Sequence, residues 1–487
     1  MRDLLIHPAS LSRLLNGWRE PEGEPAYRLL SEALKLMILD GRLSLHARLP
    51  GERRLAETLG VSRITVSTAL DRLRADGFII SRTGSGSFTA LPASPASRPV
   101  RRLDGPMQMD DAPGVIDMAS AAIAADEQVH AAYARAVEAL PAYLPGDGYE
   151  PVGLEVLRRA VADRHTAEGA PTTPDQIVIS GGALSGLALL LRAVTRPGDR
   201  VIVEHPGYPH ALDALLQAGL QPSPVAMTPH GWDMDGLLAA IARIQPRLIF
   251  LTGAHHNPTG HVLSADDEAA IAAAAARAGA LLVLDDALRE LWFDRPPPPP
   301  VDHGPHVIRL GSTSKPYWCG LRVGWIRAHA DVVDAVVRRR PSLDLGVPVL
   351  EQLAAAVLLA GPRGPLDARR QALARREARL RAQLAECLPE WRTRRPQGGL
   401  SLWVELPRPD GVRLAIAAPD HGVRIAPGTR FGVNGAFDRF IRLPFSREEA
   451  ELDLAVARLA DAWRELDRST PRRRTDPDPD PTARAVL

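Results

Sequence analysis

Five short apolar runs, at residues 176–180, 200–204, 247–252, 280–285 and 307–311, recur between stretches of helical period. That alternation predicts a parallel α/β sheet, whose ligands gather at the carboxyl edge of the strands. Each run ends in a group suited to such an edge. The first runs into Ser180-Gly181-Gly182-Ala183 and a helix from Leu184, so free backbone N–H groups and a positive helix end could hold a phosphate, although Gly-Gly also marks ordinary turns. The second leads to Pro206-Gly207-Tyr208, an aromatic face that could stack on a flat ring or simply pack. Asn257-Pro258-Thr259-Gly260 after the third supplies an amide donor. Asp285 closes the fourth, an acid leaving a buried strand, able to keep a ring nitrogen protonated. The fifth continues into Ser312-Thr313-Ser314-Lys315, with Gly320-Leu321-Arg322 shortly after, giving an amine for an aldehyde carbon and donors and a fixed cation for a phosphate. A lone Ser-x-Ser-Lys is usually a surface turn. The ordered set instead matches what pyridoxal 5′-phosphate requires, with Lys315 as its Schiff-base lysine.

Composition adds exclusions. The two cysteines, Cys319 and Cys387, cannot form a disulfide framework, and no Cys/His spacing suggests a metal site, which fits a reducing cytoplasm. The most apolar run, 269–284, is Ala-rich and interrupted by Arg277, so neither export nor a membrane span is expected. A net charge of +1 leaves nucleic acid open, because local patches decide such binding.

Residues 24–90 carry a different pattern. Tyr27, Leu30, Leu34 and Ile38 form one helical stripe closed by Asp40-Gly41. A second helix lies between Pro50 and Gly60, and a third is capped by Ser62, with Val66, Ala69, Leu70 and Leu73 inward and Arg63, Thr65 and Ser67 outward. Two helices joined by a tight Gly turn predict a helix-turn-helix whose second helix enters the major groove. Residues 78–82 and 87–90 flank Thr83-Gly84-Ser85-Gly86, a strand, turn and strand that read as a wing. Between this part and the sheet region, residues 91–113 hold five prolines and several arginines without an apolar period, and read as a linker. The expected organisation is an arm at 1–23, a winged domain at 24–90, the linker, an α/β domain at 114–466 with a smaller C-terminal part, and a disordered tail at 467–487.

Leu49-Pro50, Glu52-Arg53, Leu55-Ala56, Gly60-Val61-Ser62-Arg63, Thr65-Val66, Gly77 and Gly84-x-Gly86-x-Phe88 resemble the GntR family of winged helix-turn-helix regulators. That resemblance implies that Arg53, Arg63 and Thr65 contact phosphates or base edges of a double-stranded operator, with Arg63 on guanine, and that the tip from Gly84 to Gly86 approaches the minor groove. Many members carry Arg where Ser67 stands, so that contact is expected to be weak.

The five sheet-edge motifs, in their order, resemble class I/II aminotransferases of fold type I over about residues 114–466. The resemblance implies an internal aldimine at Lys315; Gly182, Ala183, Ser312 and Arg322 at the phosphate; Tyr208 on the ring; Asn257 near its oxygen; and Asp285 at its nitrogen. It further implies that Tyr149 reaches the phosphate of a neighbouring subunit in a homodimer, and that Arg442 clamps a substrate carboxylate. Family members usually place a Tyr shortly after the ring-nitrogen Asp, whereas Asp286, Ala287 and Leu288 follow here. Losing that donor to the ring oxygen is expected to raise the basicity of the aldimine nitrogen and slow turnover.

The fold class so implied is an α+β winged helix-turn-helix domain followed by an α/β fold-type I aminotransferase-like domain, the arrangement of the MocR group of regulators. In that group the pyridoxal phosphate domain senses an amino compound, or pyridoxal phosphate itself, and dimerises. A working aminotransferase with an appended DNA-binding domain is the alternative, and so is a repressor whose second domain is inert scaffold.

Overall fold

The computed structural model describes residues 11, 15, 18, 24–39, 43, 47–82, 86–90, 114–432 and 436–469. Residues 91–113, expected as a linker, together with Gly84, Asp40-Gly41 and the segment after 469, lie outside the described residues.

In the N-terminal part α1 (Ala26–Leu39), α2 (Glu52–Leu59) and α3 (Arg63–Ala75) precede a hairpin of β1 (Ile79–Arg82) and β2 (Gly86–Thr89). Gly60 ends α2 in the left-handed conformation (φ 64°), which a side chain would disfavour. Ser62 caps α3 by accepting from Thr65 N–H, and Val66, Ala69, Leu70 and Leu73 are buried against α1 and α2, so the expected stripe is the observed core.

The second part begins at β3 (Ile116–Met118), followed by α4 (Glu127–Ala139), α5 (Glu155–Ala167), β4 (Ile177–Ser180), α6 (Ala183–Val194), β5 (Arg200–His205) and α7 (Pro209–Gln217). Next come β6 (Gln221–Thr228), β7 (Gly231–Trp232), α8 (Met234–Ile244), β8 (Leu248–Leu251), α9 (Ala265–Ala278), β9 (Leu281–Asp285), β10 (Val307–Ser312) and β11 (Gly324–Arg327). The large sheet has the order β4-β11-β10-β9-β8-β5-β6-β7. Its central strands are parallel, and their sequences are nearly unbroken apolar runs because helices cover both faces.

The sheet is mixed, however, and not parallel throughout as expected. β11 runs antiparallel between β10 and β4. It returns from β10 through a loop without a crossover helix, and a strand joined that way must come back reversed. The return is tight at Gly324, where an added Cβ would lie 2.6 Å from the Gly182 carbonyl carbon and 2.7 Å from Gly311 O.

After α10 (Ala330–Arg339) come α11 (Val349–Ala360) and α12 (Gly364–Cys387), separated at Gly361. α11 is mostly buried, and on α12 Arg370 is buried against Glu290 and Asp367. The smaller subdomain then follows as β12 (Arg392–Thr393), β13 (Ser401–Glu405), α13 (Gly411–Ala417), β14 (Val423–Pro427), β15 (Phe440–Pro444) and α14 (Glu449–Ser469). The boundary expected at 466 therefore falls inside α14. Its sheet has the order β12-β13-β15-β14-β3, with β3 parallel to β14, so the first strand of the second part joins the last subdomain. No helix among the described residues is long and apolar enough to cross a membrane.

Candidate functional site

A cavity of about 340 Å³ opens where the carboxyl ends of the large sheet meet the small subdomain. Of the residues expected to bind cofactor or effector, Gly182, Ala183, Tyr208, Asn257, Asp285, Ser312, Lys315, Arg322 and Arg442 all line it. Tyr149 does not. It lies in the loop between α4 and α5, 61% exposed, its backbone N–H donating to Asp147.

At one end Gly182 (φ 102°) is the N-cap of α6 and Ala183 its first residue. The Arg322 guanidinium donates to Gly181 O at 2.7 Å and passes so close that a Cβ on Gly182 would sit 3.1 Å from its Nη2. Ser312, the last residue of β10, accepts from Ser314 N–H at 3.1 Å. A helix start, a guanidinium and a hydroxyl thus converge on a space kept open by a residue without a side chain, which fits a phosphate.

On the floor, Asp285 ends β9 with Oδ1 accepting from Ala287 N–H at 2.9 Å, and burial pushes its carboxyl up to about 7. Tyr208 caps α7 beside it, its phenol pushed up to about 12 by burial and then by Asp285. Opposite them the Lys315 Nζ donates to Ala121 O at 2.9 Å, and burial lowers its ammonium pKa. A buried acid, an aromatic and a lysine less costly to deprotonate form the donor set that a pyridine aldehyde needs.

Arg442 belongs to the small subdomain. It sits in the middle of β15, paired with Trp403 and Ala426, and only 7% exposed. Its Nη2 donates to Ala119 O, its Nη1 to Asn257 Oδ1 at 3.4 Å, and its guanidinium carbon lies 5.1 Å from the Phe431 ring centre. Its Nε has no partner, and among the described residues no carboxylate pairs with it. Burial lowers its pKa to about 10. A buried cation without a counter-ion, facing a cavity, is a site for an anion.

Several lining groups leave little trace in the sequence. The carbonyls of Ala119 and Ala121 accept from Arg442 and Lys315, but backbone acceptors leave no mark on residue identity. His255 is buried in the left-handed region (φ 54°) with both ring nitrogens unpartnered, and burial drops its imidazolium pKa to about 3. Glu204, at the end of β5, accepts from Thr252 N–H at 2.9 Å and Trp232 Nε1 at 3.0 Å, while His256 bridges towards it (3.1 Å) from Thr259 (2.7 Å). A carboxylate closing an apolar strand was the available signal. Asp286 turns away from the cavity to pair with Arg309 at 3.0 Å.

In the N-terminal part, Arg53 and Arg63 are exposed, each loosely paired with a glutamate (Glu57 at 3.3 Å and Glu52 at 3.7 Å). The Thr65 hydroxyl is engaged with Ser62 Oγ at 2.8 Å. Gly86 (φ 100°) opens β2 under Arg48, whose Nε would lie 3.2 Å from a Cβ there. Glu52 also meets Arg74 at 3.7 Å, and Arg74 donates to Ser81 at 2.8 Å and to Ser87, so the start of α2 and the end of α3 adjoin the hairpin.

Residues 118–459 match the family model for aminotransferase class I and II, and residues 26–89 match that for bacterial regulatory proteins of the gntR family. The chain is 32% identical to the uncharacterized HTH-type transcriptional regulator YdcR of Escherichia coli strain K12 over 444 residues, 85% of this chain and 94% of the relative. It is 31% identical to the probable rhizopine catabolism regulatory protein MocR of Rhizobium meliloti over 341 residues, 64% of this chain and 67% of that protein. Among solved structures, the α-aminoadipate aminotransferase LysN of Thermus thermophilus, complexed with N-(5′-phosphopyridoxyl)-L-leucine, superposes with a TM-score of 0.66 at 27% identity, covering 74% of this chain and 94% of the other.

Proposed function

Since the chain belongs to the class I and II aminotransferases and carries a GntR-family DNA-binding region ahead of that domain, as MocR-type transcription regulators do, we propose that it regulates transcription by sensing an amino compound at Lys315. The cofactor in this reading is pyridoxal 5′-phosphate, an aldehyde that binds amines covalently and draws electrons from them through its ring. Gly182, Ala183, Ser312 and Arg322 would hold its phosphate, Tyr208 and Asp285 its ring, Asn257 its oxygen, and Lys315 its carbonyl carbon. The observation that carries the sensing role is Arg442, a buried guanidinium with no counter-ion beside the lysine, ready for the carboxylate of an amino acid.

The same two cations suggest how binding is reported. Arg442 holds Ala119 O and Lys315 holds Ala121 O, and this segment continues directly from β3, behind which Arg458 clamps Gly114 O at 2.7 Å. A carboxylate that occupies Arg442, or a carbonyl carbon that takes up the Lys315 amine, withdraws donors from residues 119–121. That differential contact biases the path of the residues leading to the DNA-binding part. In this reading residues 91–113 are the linker between domains at 24–90 and 114–466, and the protein acts in the cytoplasm as a homodimer. Exposed Val137, Leu144, Tyr149 and Leu345 give such a dimer an apolar contact, with Gly346 packed against the Glu150 backbone.

Borohydride reduction of protein incubated with pyridoxal phosphate, followed by peptide mass mapping, is expected to find the added mass on Lys315; its absence would refute the sensing role. Retention of Asp285, Lys315, Arg322 and Arg442 together also favours a working aminotransferase, which steady-state transamination well above the rate of free cofactor would establish.

A further inference from the structure

The most exposed large apolar side chain among the described residues is Ile64, at 78%, the second residue of α3. It touches no core, since the buried stripe of α3 lies on the opposite side at Val66, Ala69, Leu70 and Leu73. It follows Arg63, which Glu52 links to Arg74 and, through Arg74, to Ser81 and Ser87 of the hairpin. Further along α3 the exposed Asp71 is ion-paired with Arg74, whereas the first turn presents Arg63 and Ile64 outward. Where that turn meets base edges, an apolar branched side chain has one complementary feature in the major groove, the C5 methyl of thymine. We propose that Ile64 is a specificity-determining residue that selects an A·T pair in each half-site by contact with the thymine methyl. The proposal rests on DNA binding by this domain, and the occupant it names is duplex DNA because the more exposed member of each ion pair at the starts of α2 and α3 is an arginine, Arg53 and Arg63, available to phosphates.

The test is selection of duplexes from a random pool by the full-length protein, followed by replacement of each enriched thymine with deoxyuridine, which lacks only the methyl. At one position per half-site the replacement is expected to weaken wild-type binding about 4-fold, the value of one buried carbon. Ile64→Ala, an exposed substitution compatible with the fold, is expected to bind the two duplexes equally. If no thymine responds to the replacement in wild type, or if Ile64→Ala remains as sensitive, the proposal is wrong. A change in self-association of Ile64→Ala with thymine sensitivity intact would assign the side chain to a protein contact instead. Failure of any sequence to be enriched would overturn the DNA-binding assignment and this proposal with it, an outcome distinct from enrichment without thymine sensitivity.

Discussion

Residues with unusual electrostatics carry the clearest consequences. Arg442 is charged, buried and unpaired, so it opposes folding until an anion arrives. Arg442→Met is expected to stabilise the ligand-free protein by on the order of 1–3 kcal/mol, as judged by chemical denaturation, while abolishing the spectral response to amino acids. Asp285 has its folded pKa raised, to about 7 from 3.8, so the folded state retains a proton that the unfolded state releases between those values. Stability of the cofactor-free protein from this group therefore falls as pH rises from about 4 to 7. Asp285→Asn, which keeps the acceptor for Ala287 N–H, should raise the melting temperature more at pH 8 than at pH 5 and should weaken cofactor retention. Both residues were legible because chemistry demands their identities. Ala119, Ala121 and His255 were not, since two of them act through backbone carbonyls and the third through a left-handed conformation that no local pattern announces.

At the scale of elements, legibility followed burial. The central strands announced themselves as apolar runs because helices cover both faces, and α3 because its stripe repeats at helical spacing. β11 escaped, since Gly324-Trp325-Ile326-Arg327 is short and its reversed direction depends on a loop without a crossover. β3 escaped for a different reason: three residues acquire their strand partner, β14, only from some three hundred positions away. The tightest of these junctions is Gly324. Gly324→Ala would drive its Cβ against two backbones, and urea denaturation is expected to show a loss of about 1–3 kcal/mol or more.

For the whole molecule, the two functions should separate by mutation. Lys315→Ala is expected to keep operator affinity within about twofold while losing the change in mobility that an amino compound induces in wild type. Arg53→Ala and Arg63→Ala should both weaken binding; Arg53→Ala should reduce the slope of log affinity against log salt by about one, in a titration between about 50 and 200 mM, whereas Arg63→Ala should relax the preference for guanine. Equal binding by these variants would show that the groove-facing surface has been assigned wrongly. The placement of β3 within the final subdomain has a further effect during synthesis. The DNA-binding head leaves the ribosome and folds long before β14 exists, so a message broken off ahead of residue 423 releases a head with no dock for its tether. Under the proposed sensing role, such a fragment would occupy operators while deaf to every metabolite.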